Sequence, residues 1–212
     1  MVFPINLKNL VIQRGYEFQM MNVTFPDSLT SLFLGPQDTL QHITLPSHLK
    51  ELTITSITAL LTLNSIITPH TLKKIIYHVA VTETDDEISV RGNTFYIQVP
   101  YSITCIGLYN LSLMKHMHFK TPIKKLDYLG CNVESLDDLP LTLEKLIIYV
   151  NTATHHITNL PPSLKKIKII GKFVTNTYNK ITKVPYGCVI VNEDNEIITS
   201  EFLEKIEMYD IL

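Results

Sequence analysis

The 212-residue chain contains no tryptophan, only three alanines (Ala59, Ala80, Ala153) and only seven glycines. Alanine is the best helix former, so its scarcity argues against a helical bundle. Few glycines leave little scope for a phosphate-cradling α/β enzyme, whose backbone must approach its ligand closely. Arginine is also scarce: Arg14 and Arg91 are the only two among 18 basic residues, and the net charge is -2. Bidentate recognition of phosphate or guanine favours arginine, and no global positive field is present, so no nucleic-acid partner is expected. Cysteine is limited to Cys105, Cys131 and Cys188, odd in number and far apart. With no CxxC pair there is no zinc framework, and the thiols are expected to be reduced, as in a cytoplasmic protein. Long apolar runs are missing too. The richest stretch, Ile57 to Ile67, is too short to span a bilayer and contains Thr58, Thr62, Asn64 and Ser65. Residues 1–9 hold no uninterrupted apolar core of a signal peptide, so neither export nor a membrane partner is expected.

What the chain has in abundance is leucine and isoleucine, 53 in all, within a hydrophobic content of 45% that excludes intrinsic disorder. Their placement is periodic. Pro4, Pro26, Pro46, Pro69, Pro100, Pro122, Pro140, Pro161 and Pro185 punctuate the chain, and most are followed by Pro-x-x-apolar-x-x-apolar-x-apolar. The apolar triplets are Leu7/Leu10/Ile12, Leu29/Leu32/Leu34, Leu49/Leu52/Ile54 and Leu72/Ile75/Tyr77, then Ile103/Ile106/Leu108, Ile123/Leu126/Tyr128, Leu143/Leu146/Ile148 and Leu164/Ile167/Ile169. Their first members are 22, 20, 23, 31, 20, 20 and 21 residues apart, and a degenerate ninth copy runs from Cys188 to Val191. Of the 24 triplet positions, 22 are leucine or isoleucine, Tyr77 and Tyr128 being the exceptions.

Apolar residues two apart share one face of a strand. A single short strand cannot bury that face alone, so stacked copies with one parallel strand each, a mainly-β repeat solenoid, are predicted across 1–212. Proline ahead of the strand breaks no ladder hydrogen bond. The returning pieces, such as His42-Ile-Thr-Leu and His156-Ile-Thr-Asn-Leu, are rich in isoleucine and threonine and are expected to be mostly extended.

Ile123-Lys-Lys-Leu126-Asp-Tyr128-Leu-Gly-Cys131-Asn-Val133 and Leu143-Glu-Lys-Leu146-Ile-Ile148-Tyr-Val-Asn151-Thr-Ala153 resemble the leucine-rich repeat signature Leu-x-x-Leu-x-Leu-x-x-Asn/Cys-x-Leu. Phe25-Pro26-Asp-Ser28-Leu29-Thr-Ser-Leu32 and Leu160-Pro161-Pro-Ser163-Leu164-Lys-Lys-Ile167 are similar to the short FNIP-type leucine-rich repeats of amoebae and giant viruses. The first four units depart from the pattern, with Gly15, Gln37, Ile57 and Ala80 at the Asn/Cys position, and the Phe-Asn-x-Pro element is not clear anywhere. The resemblance implies an arc with a parallel concave sheet, used for protein–protein recognition without catalysis or cofactor.

The 31-residue unit carries an acidic insertion, 81–94, read as a hairpin or loop. At the other end, Thr199 or Ser200 can N-cap a short helix over 199–210, closing the solenoid with Phe202, Leu203, Ile206 and Tyr209. The N-terminal unit has no separate cap, and an uncovered sheet edge invites pairing with another copy, so a self-assembling homo-oligomer is the alternative function.

Between the triplet positions, strand residues point away from the core. Lysines accumulate in these columns towards the C-terminus (Lys125, Lys145, Lys166, Lys168), beside Phe33, Ile76, Tyr109 and Tyr149. An apolar stripe rimmed by lysine suits an acidic protein partner, and these eight residues are the candidate binding site. Ile147 and Ile170 fall in the same columns. A glycan-processing β-helix shares the repeat length but needs clustered carboxylates. The outward columns offer only Glu51 and Asp127, several strands apart at about 4.8 Å per strand. His116 and His118 alternate across Met117 without a third ligand, so no metal is expected.

Overall fold

The structure, a computed structural model, describes residues 3–13, 23–35, 40–41, 43–78, 96–109, 111–130, 132–133, 136, 139–149, 152–153, 156–171 and 174–199. The inserted segment 81–94 and all but the first residue of the expected 199–210 cap lie outside the described residues. The chain forms two compact units, Met1–Ile123 and Lys124–Leu212.

In the first unit the order is β1 (Asn9–Ile12), β2 (Ser31–Leu34), β3 (Glu51–Ile54), α1 (Ile57–Leu61), β4 (Lys74–Tyr77), β5 (Ile97–Val99), β6 (Cys105–Leu108) and β7 (Met117–Phe119). Strands β1, β2, β3, β4 and β6 are neighbours in that order, and all pair in parallel. The register follows the repeat: Leu32, Leu52, Ile75 and Ile106 are successive Cα partners. The long insertion between β4 and β6 does not shift it. In the second unit come β8 (Lys125–Tyr128), β9 (Asn132–Val133), β10 (Lys145–Tyr149), β11 (Thr152–Ala153), β12 (Lys166–Ile170), α2 (Val174–Lys180) and β13 (Val189–Val191). Here β8, β10, β12 and β13 form the parallel run, so the degenerate ninth copy contributes a strand.

From the second repeat onward every triplet residue is at most 5% exposed. Each such leucine or isoleucine contributes about 1.5–3 kcal/mol by leaving water. The proline turn recurs with the same bond. The carbonyls of Pro4, Pro26, Pro46, Pro69, Pro100, Pro140, Pro161 and Pro185 each accept from the amide three residues on, at 3.0–3.1 Å. This turn points the chain into the next strand.

The serine of the Pro-x-Ser-Leu opening also has a physical role. Ser28 Oγ donates to the Leu7 carbonyl (2.8 Å), Thr71 Oγ1 to that of Leu49 (2.8 Å) and Ser163 Oγ to that of Leu143 (2.7 Å). Each hydroxyl ties its unit to the backbone of the one before. Ser163→Ala is expected to lower stability by about 1 kcal/mol, read as a lower urea midpoint.

The return side differs from the extended expectation. The apolar stretch after β3 is helical: Ser56 Oγ caps α1 by accepting from the Ala59 amide (3.4 Å), and a 3-10 turn, Thr62–Ser65, follows. A second 3-10 segment spans Leu111–His116, and α2 occupies the last return. Burial of Ala59, Leu60 and Leu63 against the sheet outweighs the strand preference of isoleucine and threonine. Extended returns do occur, as the parallel pairs β5 with β7 and β9 with β11. After β13 the chain reverses at Asn195, whose φ of 66° is left-handed, and Ile197 bridges antiparallel to Val191. Among the described residues no helix is long and apolar enough to cross a membrane.

Candidate functional site

The second unit carries the lysine columns. Lys125, Lys145 and Lys166 are successive Cα partners on β8, β10 and β12, and Asp127, Ile147 and Lys168 form the next row. Residues 20 or 21 positions apart in sequence thus stand on adjacent strands about 4.8 Å apart. Asp127 and Ile147 were expected on an open surface but are buried. Lys125 folds over the carboxylate, with Nζ 3.1 Å from Oδ1 and 3.4 Å from Oδ2, and Asp127 is 3% exposed. Tyr149 stands opposite Ile170 at the end of β10 and is 38% exposed.

Four lysines therefore meet one acid. Lys124 and Lys165, one position earlier in their strands' approach, are different: both pair with Glu144, at 3.1 and 2.9 Å. Those bonds, Lys165 first, hold the Glu144 carboxyl below its usual range. Lys145 has no hydrogen bond or ion pair among the described residues. Burial, and then the charges of Lys125, Lys166 and Lys168, push its ammonium below the usual lysine range, while Asp127 pulls the other way.

A lysine that is easier to deprotonate when folded disfavours the folded state while charged. Its penalty is complete below the folded pKa and fades as pH rises through the window up to 10.5. Lys145→Met, which keeps the alkyl stem, is therefore expected to raise the urea midpoint at neutral pH, with the gain fading as pH rises towards 10.5. An unchanged midpoint at pH 7 would contradict the crowding of charge.

Lys166 and Lys168 share a partner that the repeat pattern does not contain. Both ammoniums donate to Asn195 Oδ1, at 3.2 and 3.4 Å. The turn holding Asn195 is fixed by Asn192, whose Oδ1 accepts from the Glu196 amide (2.8 Å) and whose carbonyl accepts from the Asn195 amide (3.1 Å). The Asn-Glu-Asp-Asn run is a turn signal in the sequence, but nothing there links Asn195 to lysines 27 and 29 residues before it.

In the first unit the outward residues make an aromatic strip. Phe33 on β2 and His78 after β4 lie with ring centroids 6.2 Å apart across β3, and His78 lies 4.4 Å from Tyr109. Thr53 of β3, in register between Phe33 and Ile76, is buried although it faces away from the leucine core, and Thr55, just after β3, is buried too. Ile76 fills the space over Gly107, where an added Cβ would meet its Cγ1 at 3.0 Å. Phe33, Ile76 and Tyr109 are thus neighbours, each half-buried. His78 joins them without having been singled out by type or spacing. Glu51, the remaining outward carboxylate, is paired with Lys74 at 3.2 Å.

His118 packs edge-on to Tyr96 at 5.5 Å, and among the described residues no three His, Cys, Asp or Glu side chains gather to hold a metal ion. The internal void under Tyr77, lined by Leu60, Leu63, Ile97 and Met117, is apolar and of water size at most. Compared with known proteins, the chain matches no protein-family model and no curated protein sequence.

Proposed function

We propose that the chain is a non-catalytic protein-interaction module, a leucine-rich-repeat-like solenoid that binds an acidic partner protein through its outward sheet columns. The observation that carries this is the alignment of Lys125, Lys145 and Lys166 in register on adjacent strands, joined by Lys168, with Asp127 in the same rows held by Lys125. Tyr149 in the same unit, and Phe33, Ile76 and Tyr109 in the other, offer the half-buried apolar area that such recognition uses. Absence of catalysis is supported by the fate of the outward carboxylates, Glu51 and Asp127, each tied to its own lysine. The free thiol of Cys188 fits the reducing cytoplasm. The test is reversal of charge at Lys125, Lys145 and Lys166 together, followed by affinity capture from the native cell. A partner held by the natural protein should be lost, and equal recovery on both would contradict the proposal.

Self-association is the second reading, favoured by β1. Its Val11 is 59% exposed, and among the described residues its outer side has no strand partner, whereas β13 is bridged by Ile197. A sedimentation profile that is monomeric at every concentration would remove it.

A further inference from the structure

We infer that Lys166 and Lys168, which share the Asn195 side-chain oxygen, together with Lys145 on the adjacent strand, form a receptor for a phosphorylated serine or threonine of the partner protein. This rests on the proposal above and goes further by naming the group that is recognised.

The geometry comes first. β12 carries Lys166 and Lys168 on one face, and β10 places Lys145 directly opposite Lys166. Two of the three ammoniums converge on one oxygen, Asn195 Oδ1, at 3.2 and 3.4 Å. That oxygen is neutral, yet it occupies the focus of the cluster, and the Asn192 turn keeps it there. Lys145 adds an ammonium without a partner among the described residues. Among the described residues, the acid within the strand rows, Asp127, is already held by Lys125 at 3.1 Å, while Glu193, Asp194 and Glu196 flank Asn195 on the exposed turn.

Charge and shape then select the ligand. Before the turn carboxylates of Glu193, Asp194 and Glu196 are counted, Lys125, Lys145, Lys166 and Lys168 on the strand rows stand against Asp127, an excess of three positive charges. A single carboxylate would offset one of them, whereas a phosphomonoester brings a charge of about -1.5 to -2 and three acceptor oxygens. A flat carboxylate is best gripped by the arginine fork, and no arginine is among the described residues. Lysines act as point charges and surround a tetrahedral group from several sides. Burial and then like-charge crowding lower the Lys145 pKa, and the crowding is relieved when such a dianion arrives.

The test uses the full chain and three fluorescent peptide libraries with degenerate uncharged flanks, centred on phosphoserine, glutamate or serine. Anisotropy at constant ionic strength reads the affinities, with an oligouridine of similar charge as a fourth probe. The phosphoserine library should bind about tenfold or more tighter than the glutamate one. Lys145→Met and Lys166→Met should each weaken it about tenfold. Asn195→Asp, which sets a competing carboxylate between Lys166 and Lys168, should weaken it too, and Lys183→Met should not. Equal binding of phosphoserine and glutamate, both above serine, would overturn the phosphate assignment and leave the acidic-partner proposal standing. Binding that ignores the central residue, no binding at all, lysine variants without effect, or oligouridine as the tightest ligand would each overturn the inference. In those cases the wider proposal still answers to its own charge-reversal test.

Discussion

Leu52→Ala is expected to destabilise the first unit by about 2–5 kcal/mol, a shift large enough to be the dominant change in a urea titration. Leu52 lies on β3, which pairs with β2 on one side and β4 on the other, and its aligned neighbours are Leu32 and Ile75. It is wholly buried. Removing its isobutyl group loses the transfer energy of the missing carbons and leaves a hole. The fixed strands on either side cannot close that hole fully. Val11→Ala, on the exposed side of β1, provides the contrast and should change stability by less than about 0.5 kcal/mol. A Leu52 variant that unfolds at the natural midpoint would mean that the triplet residues do not form the core.

The second large effect concerns binding. Lys125→Glu, Lys145→Glu and Lys166→Glu together should weaken an acidic partner at least about 100-fold, equivalent to about 2.7 kcal/mol. The three positions line one column, so the change replaces a row of attraction with a row of repulsion against the same ligand. The remaining Lys168 then faces three new carboxylates as well as Asp127. Reversal at Lys165, which is engaged with Glu144, should cost far less, because that lysine has a partner of its own. Added salt should weaken binding of the natural protein and leave the residual binding of the triple variant nearly constant. Salt-independent binding of the natural protein would show that the lysines are not at the contact.

The repeat was legible because one rule governs it. Leucines and isoleucines at fixed offsets from a proline must share a face, and the faces must stack, so strand positions and register follow from counting. The same counting aligned Lys125, Lys145 and Lys166. It could not say how far each outward side chain stays in water. Asp127 and Ile147 are buried because neighbouring side chains lean over them, and that depends on lengths and rotamers across three strands. The aromatic strip shows the same limit: the ring contacts of His78 with Phe33 and Tyr109 join residues from different strands, which the repeat offsets do not specify. The helical returns were missed because Ser56 capping and burial of Leu60 and Leu63 act through tertiary packing, while the local composition favours strand. Asn195 was missed for a different reason. It belongs to no repeat position, and it reaches the lysines only because the chain reverses after β13.

The central claim is that one repeat sets one strand, so that residues 21 positions apart stand side by side as columns on one face. Paired cysteines test this most directly, in a background lacking Cys105, Cys131 and Cys188. In-register parallel neighbours have Cα atoms about 4.8 Å apart, within disulfide range, whereas a shift of two residues puts them about 8 Å apart, beyond it. Lys145→Cys with Lys166→Cys should cross-link readily under mild oxidation, and Lys145→Cys with Lys168→Cys should not. Equal cross-linking of the two pairs, or a preference for the second, would contradict the account.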